Sequence, residues 1–262
     1  MVKKGKGRSK GVSEVIGYLL MFAIVVTIVG VIYTSGMPVV EQTKESSSIT
    51  SMETVFITLQ GNIKKVAVGQ SPVRTMKLSL VKGTVSAQKS AGNITVDNGT
   101  SYSISFGNIE YALGTQKLVY ENGAVIEHSP GGNIIVSEPL ILFTNYSNNA
   151  DILISVINAS GTLSTSGELG QIQMGPYNVT RDTHVYYSAT PANFVNISIK
   201  SSYAHAWSLF LNNSYKETFG MDPCSTCSGW ANNFCWLKIT KGQYGVAENL
   251  NLTLSTHNVS IS

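Results

Sequence analysis

The chain has 262 residues, enough for one large domain or two modest ones, and only 13% of them are charged, against roughly 25% in ordinary soluble proteins. Five of its 18 basic residues fall in the first eleven positions, which leaves 13 Lys and Arg against 15 Asp and Glu over 12–262. That slightly acidic remainder excludes a nucleic-acid partner, whose phosphates call for a basic face. Polarity must come instead from Ser, Thr, Asn and Gly, a surface suited to a crowded or repetitive assembly outside the cell.

Residues 1–11 are basic, glycine-rich and free of acids, and they precede the run Val15–Tyr33, 19 residues without a charge. At ~1.5 Å per residue such a run crosses a ~30 Å hydrocarbon core as a helix. The basic flank keeps the N-terminus cytoplasmic and sends the remainder outward, so the expected location is the cell membrane with an extracellular head. A secretory signal would have a shorter apolar stretch of about 7–15 residues followed by a small-residue cleavage site. That reading and a plain signal anchor are the two alternatives.

The stretch Lys10-Gly11-Val12-Ser13-Glu14-Val15-Ile16-Gly17 resembles the class III signal peptide of archaeal type IV pilins. The resemblance implies cleavage by a prepilin peptidase between Gly11 and Val12, leaving a mature chain of 251 of the 262 residues with its apolar helix retained. It further implies assembly through Glu14, Val15, Ile16 and Gly17, with identical or related pilin subunits, an assembly ATPase and a membrane platform protein as partners. Glu14 is the odd residue, because a carboxylate entering the bilayer costs ~2.5–3.5 kcal/mol. Pilin-like proteins often keep a Glu at the fifth mature position, where it meets the new N-terminal amine. Here the Glu would be third, and residence at headgroup level is the competing role.

Gly36 and Pro38 are expected to bend or interrupt the helix, since Pro lacks an amide donor and clashes with the preceding turn. Beyond them Ile49, Met52, Phe56, Leu59, Ile63 and Val66 recur three and four apart, the apolar stripe of an amphipathic helix over 37–68. After Gly69-Gln70-Ser71-Pro72 the period becomes two. Strands are predicted around Met76–Leu80, Tyr102–Phe106, Val195–Ile199, Trp207–Leu211 and Leu250–Leu254, and Ile152–Ile157 reads as a strand buried on both faces. The fold class expected is therefore α+β: a leader (1–11), a transmembrane or filament-core helix (12–36), an amphipathic helix (37–68), and a mainly antiparallel, β-sandwich-like head (69–262). Residues Gly107–Leu142, including Tyr120-Glu121-Asn122-Gly123-Ala124, also resemble a region of archaeal pilin-like surface proteins.

Nine Asn-x-Ser/Thr sequons begin at Asn93, Asn98, Asn145, Asn158, Asn178, Asn196, Asn212, Asn251 and Asn258, more than random placement of 20 Asn gives in this composition. All lie in the expected exported part, which makes them glycosylation candidates. Cys224, Cys227 and Cys235 are expected to form one disulfide in an oxidising compartment, with one thiol left over and the pairing open. The Cys-x-x-Cys spacing lacks the strand–helix context of a redox site, and a zinc site lacks a fourth ligand at recognised spacing. The four histidines are scattered singly, the acids form no calcium loop, and neither a nucleophile elbow, a His-Glu-x-x-His motif nor a Walker loop is present. Trp207, Trp230, Trp236 and Tyr186-Tyr187 read first as packing residues and second as a carbohydrate platform. No cofactor, metal or catalytic residue is expected. The resulting expectation is a filament subunit rather than an enzyme, the alternative being a membrane-anchored adhesin or binding protein that never polymerises.

Overall fold

The structure, a computed structural model, describes residues 10–80, 82–161, 163–165, 169–176, 183–187 and 191–262. The described chain forms a first helix α1 (Lys10–Ala67), then strands β1 (Arg74–Ser79), β2 (Thr84–Asp97), β3 (Ser101–Leu113), β4 (Gln116–Glu121), β5 (Ala124–Ser129), β6 (Gly132–Ser137), β7 (Ile141–Tyr146), β8 (Asn149–Gly161), β9 (Leu163–Thr165), β10 (Leu169–Pro176), β11 (Thr183–Tyr187) and β12 (Phe194–Lys200). A second helix, α2 (Ala204–Phe219), precedes β13 (Ser228–Ala231), β14 (Phe234–Thr240) and β15 (Asn249–Ile261). The chain divides into two compact units at Ser47/Ser48.

The described part of the first unit, from Lys10, is helical. Every residue from Val15 to Tyr33 is exposed, and the apolar side chains reach 50–77% exposure, as at Ile24 and Tyr18. Polar atoms on this surface are satisfied locally, Thr27 and Thr34 donating their hydroxyls to the carbonyls of Ala23 (2.8 Å) and Gly30 (2.9 Å). Of the bend or interruption expected at Gly36 and Pro38, the interruption does not occur, for Pro38 lies inside α1. One lost amide donor and a cost of about 3 kcal/mol do not end a helix that has complete turns on both sides.

In the second unit the last part of α1 supplies the predicted stripe. Ile49, Met52, Phe56, Leu59, Ile63 and Val66 are each at most 6% exposed and share a core with Val85, Tyr111, Leu118, Tyr120 and Ile172. Two sheets complete the head. One runs β1-β10-β15-β8-β7 with β11 also on β15, and the other runs β13-β14-β12-β2-β3-β4-β5-β6 with β9 on β2. Pairing is antiparallel except between β8 and β15, which run parallel over a 13-residue register from Asn149↔Asn249 to Gly161↔Ile261. The architecture is the expected α+β class, with a β-sandwich-like head following the long helix. Ile154–Ile157 of β8 are buried on both faces, while Leu153 is 38% exposed.

Trp207–Leu211 is not a strand but part of α2. Alternation would have hidden Leu209 and shown Ser208, whereas Ser208 is 4% exposed and Leu209 is 43% exposed. The spacing that prevails is four: Tyr203, Trp207, Leu211, Tyr215 and Phe219 are buried in a second core with Val195, Ile197, Leu237 and Leu252. Gly220 ends the helix at φ 73°, donating its amide to the Lys216 carbonyl.

The β4–β5 hairpin turns on Asn122 (φ 46°) and Gly123 (φ 78°), the backbone of a two-residue primed turn. This turn is buried, and α1 fastens it through Gln60 Nε2, which donates to the carbonyls of Gly123 (2.6 Å) and Glu138 (2.9 Å). Asn122 Oδ1 accepts from the Ile157 amide at 3.1 Å. A Cβ at Gly123 would meet nothing nearer than 3.6 Å, so the cost of Gly123→Ala is backbone strain alone. Its urea midpoint should fall by the equivalent of roughly 1–2 kcal/mol.

Candidate functional site

The chemistry-bearing features lie in three places. At the N-terminus, Gly11, Val12 and Glu14 belong to α1, though only their backbone falls within the described residues. Val15 and Ile16 are 63% and 58% exposed, and Gly17 faces open space. α1 is long and apolar enough to cross a membrane, and none of its most apolar window is buried. In water such a surface is costly at ~25 cal/mol per Å², so lipid or other apolar helices are its stable surroundings.

The second place is the set of sequons, which the fold separates by environment. Asn145 is exposed at the end of β7, and its Nδ2 reaches the Gly245 carbonyl at 2.9 Å. Asn98 lies in the β2–β3 turn and accepts from the Thr100 amide through Oδ1 at 3.3 Å. Asn251 pairs across the parallel ladder with Asp151 at 2.7 Å. Asn158 is tied down on both ends, Nδ2 donating to Asn258 Oδ1 (3.1 Å) and Oδ1 accepting from the Gly107 amide (3.0 Å). Asn212 sits on α2 with a buried Oδ1 that has no partner. Asn93 and Asn196 occupy outward positions of neighbouring strands, β2 and β12. Asn178 lies outside the described residues.

The third is the interior around the β4–β5 turn. Glu121 is 1% exposed, and its Oε1 accepts from Ser201 Oγ and Trp207 Nε1, both at 2.5 Å. Burial outweighs these two bonds and pushes the carboxyl up to about 7. Nearby, the Tyr203 hydroxyl donates to Glu110 Oε2 at 3.0 Å, and Glu110 pairs with Lys117 at 2.9 Å. A carboxyl so enclosed is out of a substrate's reach, and it knits α2 to the hairpin. Sequence reasoning missed it because an acid beside Asn-Gly reads as an exposed turn. The spacing of four from Tyr203 to Phe219 was the signal that would have found its helical partner.

The cysteines divide two and one. Cys224 and Cys227 form a disulfide, and Cys235 is free and buried. Burial pushes the Cys235 thiol up to about 12, so it stays protonated and serves as a small apolar group. Among the described residues no three His, Cys, Asp or Glu side chains gather as a metal site. A groove of about 220 Å³ between β6 and α2, lined by Ile134, Leu209, Phe210, Glu138 and Glu217, is below the usual size of a ligand pocket.

The model of a family of unknown function, DUF7289, matches residues 10–232. A stretch of 82 residues is 32% identical to an Archaeoglobus fulgidus protein described only as uncharacterized. That alignment covers 31% of this chain and 27% of the relative, so the chain spans about a quarter of the length of the protein it matches. No solved structure matches the chain.

Proposed function

We propose, for a chain that belongs to the DUF7289 family of unknown function, the role of structural subunit in a type IV pilus-like surface filament. The observation that carries this reading is the apolar run Val15–Tyr33, exposed at every residue, behind a basic, acid-free leader. Held in the membrane, the helix is stabilised by lipid and pinned by five positive charges. Cleavage between Gly11 and Val12 removes those charges. The helix then exchanges lipid for a bundle of identical helices, a transfer between two apolar surroundings and therefore nearly neutral. Extraction is driven from outside the subunit by an ATPase and platform protein, and the β-rich heads coat the filament outside the cell. The sequons are then glycosylated, with Asn158 and Asn212 the poorest acceptors because their amides are tied or buried.

N-terminal sequencing of the chain from native surface fractions tests this. A mature end at Val12 is the expected result. An intact leader favours the non-polymerising membrane-anchored adhesin, and loss of 12–33 in the exported product sinks both.

A further inference from the structure

The outward face of the nine-stranded sheet brings two sequons and an aromatic pair together. In a strand, residues two apart share a face, so each sequon shows its amide and its hydroxyl side by side. On β2 these are Asn93 and Thr95, and on β12 they are Asn196 and Ser198, with Ile94 and Ile197 between them fully buried. The strands are antiparallel in a register that sets Thr95 opposite Ser198, Asn93 opposite Lys200 and Asp97 opposite Asn196. The next strand, β14, puts Trp236 beside Ser198 and Phe234 beside Lys200.

Trp236 lies against the backbone of Gly229 on β13, where a Cβ would come within 2.8 Å of the indole. The ring thus fills the space a side chain would take, and Phe234 lies 6.0 Å away at an interplanar angle of 28°. Phe234 is 43% exposed and Trp236 half-buried. Together they form an apolar floor bordered by the hydroxyls of Ser198 and Thr95, the amide of Asn196 and the charged side chains Lys200, Lys238 and Asp97. A pyranose ring has complementary chemistry: a face of C–H groups that suits the negative face of an aromatic ring, and a rim of hydroxyls. Asn196 is the diagonal cross-strand neighbour of Trp236, at a spacing of ~7–8 Å that one or two sugar units cover.

We infer that this face seats the protein's own N-linked saccharide, carried by Asn196 and by Asn93, on Trp236 and Phe234. The attachment is ordinary N-glycosylation by a separate transferase. The amide nitrogen bonds to the anomeric carbon of a lipid-phosphate-activated saccharide, the lipid phosphate leaves with the electron pair of the broken C–O bond, and one amide proton is lost. The linked amide keeps one N–H, which is all that the Asn93 Nδ2 bond to Ser103 Oγ (3.2 Å) requires. By contrast, the Asn158 amide is held by Asn258 and the Asn212 Oδ1 is buried. The assignment rests on the exported reading given above.

The test uses the full chain expressed in an archaeal host that performs N-glycosylation. Glycopeptide mass spectrometry should find Asn196 and Asn93 occupied. Asn196→Gln should lower the thermal midpoint by roughly 2–4 °C in the presence of Trp236, and by nothing measurable in the Trp236→Ala background. Trp236→Phe should restore most of the shift. The inference is overturned when both sites are bare while Asn98 or Asn145 carries glycan, or when Asn196→Gln has the same effect with and without Trp236. Leader processing, read from the same spectra, separates the two proposals: occupied Asn196 with an intact leader defeats the filament reading alone, and a Val12 terminus with no glycan defeats this one alone.

Discussion

Wild-type protein should lose stability as pH rises from about 4.5 to 7, and Glu121→Gln should abolish that loss. Glu121 has its folded value raised to about 7 from an ordinary 4.5 because burial disfavours the charge more than Ser201 and Trp207 favour it. Below 4.5 both folded and unfolded chains hold the proton, and stability is at its full value. Between the two values the unfolded chain releases a proton that the folded chain retains, so unfolding gains with every unit of pH. The loss totals about 3 kcal/mol and levels off above 7, where both states are ionised. Gln keeps an acceptor oxygen for Ser201 and Trp207 and carries no titrating proton. Chemical denaturation at pH 4, 5.5 and 7.5 should therefore show a declining wild-type series against a flat variant, with the variant the more stable at 7.5. Glu121→Ala behaves oppositely at low pH: it leaves the Trp207 N–H and the Ser201 O–H without an acceptor in the core and should cost about 3–5 kcal/mol at pH 4, a deficit that narrows by about 3 kcal/mol toward pH 7.5 as the wild type loses its own stability. A wild-type profile that is flat from pH 4.5 to 7 would remove the buried, protonated carboxyl from the picture.

How much of this was legible beforehand depended on the range of each interaction. The apolar run Val15–Tyr33 and the stripe from Ile49 to Val66 are local patterns, and both stand in the structure as one helix. The strands around Tyr102, Val195 and Leu250 show the predicted alternation because each has one face in a core and one outside. Trp207–Leu211 misled because three apolar residues in five fit either period, and only the wider window from Tyr203 to Phe219 separates them. Pro38 does not interrupt the helix, because its local penalty is smaller than the stability of the turns on either side. The parallel pairing of β8 with β15 and the meeting of Asn93 with Asn196 through β2 and β12 are contacts between distant segments. Sequons and aromatics were visible singly, and register alone made a surface of them.

A double substitution in the middle of the apolar helix, Val25→Arg with Ile28→Arg, should release the protein from the membrane, where Val25→Arg alone should not. Val15–Tyr33 contains 12 Val, Leu, Ile and Phe residues. At −0.3 to −0.6 kcal/mol each near the centre of a span, these supply at most about 4–7 kcal/mol of insertion free energy. One central Arg costs about 2.5–3.5 kcal/mol, which weakens insertion by on the order of a hundredfold and leaves a favourable remainder. Two cost about 5–7 kcal/mol and cancel it. Positions 25 and 28 are one turn apart on the helix, so both charges enter the same stripe of lipid contact. Their side chains are 52% and 51% exposed, and the exchange deletes no buried contact. Carbonate-washed membranes should retain the wild type and the single variant, while the double variant moves to the soluble fraction with the Glu121-dependent pH profile of its head intact. Retention of the double variant would mean that something other than this helix holds the protein at the membrane, and a filament built on the packing of that helix would lose its basis.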